Sequence, residues 1–275
     1  MRKVLLSVAA LTAIAVSPAF AADLPARPVY KAPPPAPVYN WSGFYFGGNV
    51  GYLVQSDYSA SSAFTQPAVG PVNTVGTNTA AATAFTGGGQ IGFNWQVSPF
   101  WVLGVEADWN WTNPSNAFCR PTDVGPPCND GGRGFLTISE TTDWLASVRG
   151  RLGVVWSNVL FYGTGGAAWG RVDTTLTASC AVAGCGNNGT ANVTTASFNT
   201  TKSGWVAGLG AEAMLTPNWT AKIEWLHYDL GNVTAAFVAP AAVGSYGVGY
   251  SRSLAYDTVR LGLNYKFGWG AAGPY

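Results

Sequence analysis

The sequence predicts an all-β fold: an eight-stranded antiparallel up-and-down transmembrane barrel with short periplasmic turns and long extracellular loops. Three observations carry the prediction. Eight segments alternate apolar and polar residues with a period of two. Their connections are alternately long and short. Past the first residues, no apolar run approaches the ~20 residues of a transmembrane helix. A chain that meets lipid without such helices must close its strands, because only closure leaves no backbone N–H or C=O facing hydrocarbon.

Composition agrees with contact with lipid. The 275 residues are 48% apolar and only 10% charged, against roughly a quarter charged in ordinary soluble domains. Net charge is +1, so no nucleic-acid partner is implied. The first residues carry the marks of an export signal. Arg2 and Lys3 precede an apolar core at Val4–Val16, and Ala19-Phe20-Ala21 is a small-residue cleavage site. Residues 1–21 are therefore read as a signal peptide, and their removal leaves 12 Lys and Arg against 13 Asp and Glu. Residues 22–40 are read as a periplasmic linker. Asp23–Tyr39 contains six prolines, which disfavour central strands and favour an extended chain. Residues 41–275 are assigned to the barrel.

The first strand begins at Trp41, with Phe44, Phe46, Val50 and Tyr52 on one face and Tyr45, Gly47, Asn49 and Gly51 on the other. A Ser/Thr/Ala/Asn-rich loop is expected over 56–82. The second strand (85–97) points Ile91, Phe93, Trp95 and Val97 outward and Gln90, Gly92, Asn94 and Gln96 inward. A short turn leads to the third (101–111), with Leu103, Val105, Trp109 and Trp111 out and Glu106, Asp108 and Asn110 in. A loop over 112–138 precedes the fourth (142–154), with Trp144, Ala146, Val148 and Leu152 out and Ser147, Arg149 and Arg151 in. The fifth (160–172) has Gly and Ala on both faces, and its faces are not assignable. A third loop spans 173–200. The sixth strand (201–215) turns Trp205 and Leu209 out and Glu212 in; the seventh (220–230) turns Ile223, Trp225 and His227 out and Lys222, Glu224 and Tyr228 in. A fourth loop spans 231–254. The eighth strand, Tyr256–Phe267, alternates strictly, with Val259, Leu261, Leu263, Tyr265 and Phe267 opposite Thr258, Arg260, Gly262, Asn264 and Lys266.

The inward charges form the candidate site: Glu106, Asp108, Arg149, Arg151, Glu212, Lys222, Glu224, Arg260 and Lys266. A ring of charges can line a selective pore. However, an eight-stranded barrel is just wide enough for its own side chains to fill it, and the signs are nearly balanced. The favoured expectation is a salt-bridged polar plug, with opposite charges on the third and fourth strands neutralising one another across the sheet.

Four cysteines fall in two loops, Cys119 with Cys128 and Cys180 with Cys185. In an exported chain they point to disulfides, local pairing being the simplest of three connectivities. His227 is the only histidine. A His–carboxylate pair with Asp257, and with Ser251 or Ser253 nearby in sequence, is the one arrangement that raises lipid-ester chemistry. The spacing does not fix that geometry, and the chain is read as a non-enzyme. No phosphate loop, nucleophile elbow or metal motif stands in usable context, and no cofactor is expected.

Four stretches carry a family resemblance: Ala22-Asp-Leu-Pro-Ala-Arg27, Trp41-Ser-Gly-Phe-Tyr-Phe-Gly-Gly-Asn-Val-Gly-Tyr52, Asp143-Trp-Leu-Ala-Ser-Val-Arg-Gly-Arg-Leu-Gly153 and the terminal strand. With these the chain resembles the Omp25/Omp31-like small outer-membrane barrels of alphaproteobacteria over essentially its whole mature length. The resemblance implies an integral outer-membrane barrel, often labelled porin-like, with some members credited with haem binding or surface antigenicity. It supplies no haem-ligating residue that maps here. The expected role is structural or surface-interaction with a largely plugged lumen, the alternative being a porin for small solutes. Expected partners are outer-membrane lipid and lipopolysaccharide, the barrel-assembly machinery and surface ligands met through the loops.

Overall fold

The computed structural model describes residues 39–56, 59–66, 70–77, 82–121, 135–180, 192–241 and 244–267. The expected signal peptide over 1–21 and the expected linker up to residue 38 lie outside the described residues. In chain order the strands are β1 (Gly43–Gln55), β2 (Ser59–Gln66), β3 (Gly70–Thr77), β4 (Thr83–Gln96), β5 (Trp101–Thr112), β6 (Ser115–Pro121), β7 (Phe135–Trp156), β8 (Val159–Cys180), β9 (Asn192–Met214), β10 (Trp219–Ala241) and β11 (Gly244–Lys266).

Eight of these close a barrel in the order β1-β4-β5-β7-β8-β9-β10-β11, and β11 pairs back onto β1. Every pairing is antiparallel, so chain neighbours are joined by hairpins. Alternation decides which way each strand faces. On β5, Glu106, Asp108, Asn110 and Thr112 are buried inside while Leu103, Val105, Trp109 and Trp111 are exposed outside. On β11, Thr258, Arg260, Asn264 and Lys266 are buried and Val259, Leu261 and Leu263 are exposed. The two faces of β8, which composition left ambiguous, resolve the same way. Leu160, Tyr162, Ala168, Val172 and Leu176 point inward, and Phe161 and Trp169 outward.

The outer surface is an apolar band between two aromatic girdles. Near the short turns lie Phe44, Phe93, Trp95, Trp101, Trp219, Tyr265 and Phe267; at the other end lie Tyr52, Phe85, Trp109, Trp111, Trp144, Trp205 and Trp225. The girdle rings pack on one another: Trp109 stacks on Trp144 with centroids 4.2 Å apart, and Trp219 meets Tyr265 edge-on at 5.2 Å. This is the profile of a surface solvated by lipid at mid-height and by headgroups at both ends.

The short turns are capped locally. Ser98 Oγ accepts from the amides of Phe100 and Trp101, and Thr216 Oγ1 from those of Asn218 and Trp219. Ser157 adopts a positive φ of 57° in the two-residue link between β7 and β8.

The segments expected as long loops are largely strand. β7 to β11 run 22 or 23 residues, well beyond the ~11 that span a bilayer. Within 56–82, β2 and β3 pair antiparallel and β2 adds to the outer half of β11; part of 112–138 is β6, paired with β7. Clusters of Ser, Thr, Asn and Gly read as loop in a linear sequence, so their abundance concealed the extension. Two irregularities organise it. A bulge at Asp143 lies between the Thr142 and Trp144 pairings and shifts the inward parity of β7. A second, at Asp229–Asn232, includes Gly231 at φ 71°. The β9–β10 pairing ends at Trp205–Asp229, so beyond the barrel β9 pairs with β8 and β10 with β11.

Candidate functional site

The inward residues fill the lumen in three layers. At the short-turn end Trp41 is fully buried against Val102, Leu160, Tyr162 and Met214, with Tyr39 and Val155 beside it. The segment is tied in place by polar contacts. Trp41 N donates to Gln96 Oε1 (2.9 Å), Gln96 N donates to Ser42 Oγ (3.0 Å), and Lys266 Nζ donates to the carbonyl of Asn40.

The middle layer is ionic. Arg149, from β7, contacts Glu106 (2.5 Å) and Asp108 (3.0 Å) on adjacent β5 and Glu224 (3.0 Å) on β10 across the lumen. Arg260 on β11 joins Asp108 (3.0 Å) to Glu224 (2.8 Å). Lys222 Nζ lies 2.7 and 2.8 Å from the two oxygens of Glu106. Arg151 contacts Glu212 at 2.6 Å, and its guanidinium carbon lies 3.9 Å from the centre of the Tyr162 ring. Tyr45 links the two halves: its hydroxyl accepts from Arg151 Nη1 (3.0 Å) and donates to Glu106 Oε2 (2.7 Å). Glu212 accepts further from Thr220 (2.5 Å) and Asn264 (3.0 Å), and Asp108 from the hydroxyl of Ser147. Four acids thus meet four bases, each buried. Charges out of water persist only when paired and hydrogen-bonded, and this set meets that condition by contacts reaching across the barrel.

The third layer is apolar. Leu53, Leu145, Ala168, Val172, Val206, Leu226, Leu230, Val233 and Leu254 form one buried cluster with the rings of Tyr228 and Tyr256. Above the ionic layer Glu140 pairs with Arg252, and Thr142 bonds Tyr256 at 2.8 Å.

Eight of the nine residues read from the sequence as a charge network come together. Lys266 does not: it occupies the last inward position of β11, where Asn264 stands between it and Glu212, and it forms no ion pair among the described residues. Sequence reasoning missed Arg252, which it assigned to the loop over 231–254, and Glu140, which falls between the loop over 112–138 and the strand over 142–154. Arg252 shares the parity of Arg260 on β11, a signal that was available; Glu140 required knowledge of the bulge at Asp143. Also missed were the apolar layer, because its members stand singly on separate strands and meet only in the closed barrel, and the role of Trp41.

His227 lies on the outer face opposite Asp257 in register, with Nδ1 3.0 Å from Oδ1, between Trp205 (5.5 Å) and Trp225 (6.5 Å). Ser253 and Ser251 pair with Asn232 and Thr234. At the rise of an antiparallel strand they stand roughly 13 and 20 Å along β11 from Asp257, out of reach of the imidazole. Cys119 lies within β6 and Cys180 is the last residue of β8; Cys128 and Cys185 lie outside the described residues, and so does the expected cysteine pairing.

The profile of the outer membrane protein beta-barrel domain family matches residues 6–267. The chain belongs to that family. It is similar to the 31 kDa outer-membrane immunogenic protein of Brucella melitensis biotype 1, at 33% identity over 271 residues, covering 97% of this chain and 100% of that one. It is also 28% identical over 236 residues to the 22 kDa outer membrane protein of Rhizobium leguminosarum bv. viciae, covering 85% of this chain and 82% of the other. Among solved structures, the outer membrane protein OprG from Pseudomonas aeruginosa aligns with a TM-score of 0.44 at 12% identity, over 83% of this chain and 98% of that one. The family and its curated members place the chain in the outer membrane, as the resemblance to Omp25/Omp31-like barrels implies.

Proposed function

We propose that this family member is a closed barrel, an anchor whose function is borne by its long outer strands at the cell surface. The single observation behind the closed lumen is Arg149: its side chain is fully buried and contacts carboxylates from two facing walls, β5 and β10. A solute would have to break those contacts, displace the apolar cluster above them and move Trp41 below. The balance of signs leaves no net field to attract ions of either charge. The strand extensions of β7 to β11 support the surface role, since they put far more chain beyond the bilayer than anchoring needs. The Brucella relative's designation as an immunogenic protein supports display at the surface here as well.

The reading is tested by planar-bilayer conductance of the refolded protein, with insertion checked by heat-modifiable gel mobility. A silent, inserted barrel is expected. Reproducible steps that change in Arg149→Gln would replace it with the alternative reading, a porin for small solutes.

A further inference from the structure

The two walls of the lumen are chemically different. β4 and β5 contribute no residue to the apolar cluster; at its level their inward positions are Thr86, Asn110 and Thr112. Toward the short turns the same wall continues through Gln90 and Asn94, with Asn49 alongside on β1. Four buried oxygens on these three neighbouring strands have no hydrogen-bond partner in the protein: Asn49 Oδ1, Asn94 Oδ1, Asn110 Oδ1 and Thr112 Oγ1. Their residues are 93% or more buried. The nitrogens of two of these amides are engaged, Asn49 Nδ2 with Gln90 (2.6 Å) and Asn110 Nδ2 with Asp108 (2.6 Å), which leaves the oxygens turned away from those partners.

Glycines make room for them. Asn49, Gly88 and Asn110 are in register across β1, β4 and β5, and a Cβ on Gly88 would lie 2.7 Å from Asn110 Oδ1. A Cβ on Gly104 would lie 2.5 Å from Asn94 Oδ1. A buried acceptor with no partner costs on the order of 1–3 kcal/mol, and native proteins meet such atoms with internal water.

From this juxtaposition we infer that the β1–β4–β5 wall is a hydrated seam that binds internal water at Asn94 toward the short turns and at Asn49, Asn110 and Thr112 beyond the ionic layer, the two stretches being parted by the Tyr45 ring packed on Gly92, while the facing wall of β8, β9 and β10 stays dry. The inference rests on the closed-lumen reading, for which it specifies what the unfilled polar side contains. Neutral amide and hydroxyl oxygens suit water as donor, and the balanced ionic layer beside them leaves no charge for a counter-ion.

The experiment is water-selective rotating-frame NMR on the full mature chain folded in detergent micelles. In that frame dipolar contact with water and chemical exchange give cross-peaks of opposite sign. Dipolar cross-peaks are expected at the Asn49 and Asn110 side-chain amides and at the Thr112 methyl, with none at the Leu226 or Val206 methyls. In Thr112→Val the Asn110 cross-peak should fall at least twofold, because the shared water loses a partner. Absence of dipolar peaks at the asparagine amides in a folded barrel overturns the seam; an undiminished Asn110 peak in the variant overturns the water shared by Asn110 and Thr112. Conductance is read separately, so a conducting barrel with these peaks would refute the closed lumen and leave the seam, and a silent barrel without them would do the reverse.

Discussion

Lys222 on β10 reaches across the barrel to Glu106 on β5, its Nζ 2.7 and 2.8 Å from the two carboxylate oxygens. The strands are not neighbours in the sheet, so this contact, with Arg149–Glu224, turns a wall of paired strands into a cross-braced solid.

Removing one end of that brace should cost more than removing both. Lys222→Met leaves Glu106 buried with part of its compensation lost, and about 3–5 kcal/mol of destabilisation is expected. The double variant Lys222→Met with Glu106→Gln should recover much of it. Urea unfolding of micelle-folded protein gives the cycle, and additivity of the single changes would show that the two groups do not interact.

Opening the ionic layer alone should not open the barrel. Arg149→Ala is expected to remain silent in a planar bilayer, because the Leu226–Leu254 cluster lies above it and Trp41 below. Steps are expected only when Trp41→Ala and Leu226→Ala are added. Conductance from Arg149→Ala by itself would mean the outer layers do not seal.

The apolar layer should behave as a protein core. Leu226, fully buried in it, should cost about 2–5 kcal/mol as Leu226→Ala, whereas Leu209→Ala on the lipid face should cost less because lipid fills the space. Unfolding midpoints of the two variants make the comparison.

The outer-face pair should matter little. His227 and Asp257 keep 29% and 32% of their side-chain surface, and partly solvated pairs are worth about 0–1 kcal/mol. His227→Ala is expected to fold with a midpoint close to the parent; a large loss would assign the imidazole a structural role the geometry does not.

Glycines should separate by backbone. Gly231 sits at φ 71° with open space around it, so Gly231→Ala carries roughly 1–2 kcal/mol of left-handed strain. Gly48 faces outward with nothing nearer than 3.6 Å to an added Cβ, and Gly48→Ala should be close to neutral. Thermal gel-shift assays of the pair test this.

The strand count, closure and inward charges were legible because a period-two pattern survives any register: Arg149 and Glu106 face inward whatever their partners. The apolar layer was not, because inward residues such as Leu145, Val206, Leu226 and Leu254 stand on separate strands and meet only when the sheet closes, and Val233 lies past the bulge at Gly231, which breaks the parity that a linear reading follows.

Alternation by itself determined which side of every barrel strand but β8 meets lipid, since that is a property of the pleat. Only the tertiary structure decided which inward charges meet, that Lys266 is left to the Asn40 carbonyl, that Trp41 is buried at the short-turn end and that one wall of the lumen is polar and the other apolar. Those outcomes depend on which strands face one another across a closed sheet, and on the span between them, and neither quantity is contained in the order of residues along any single strand.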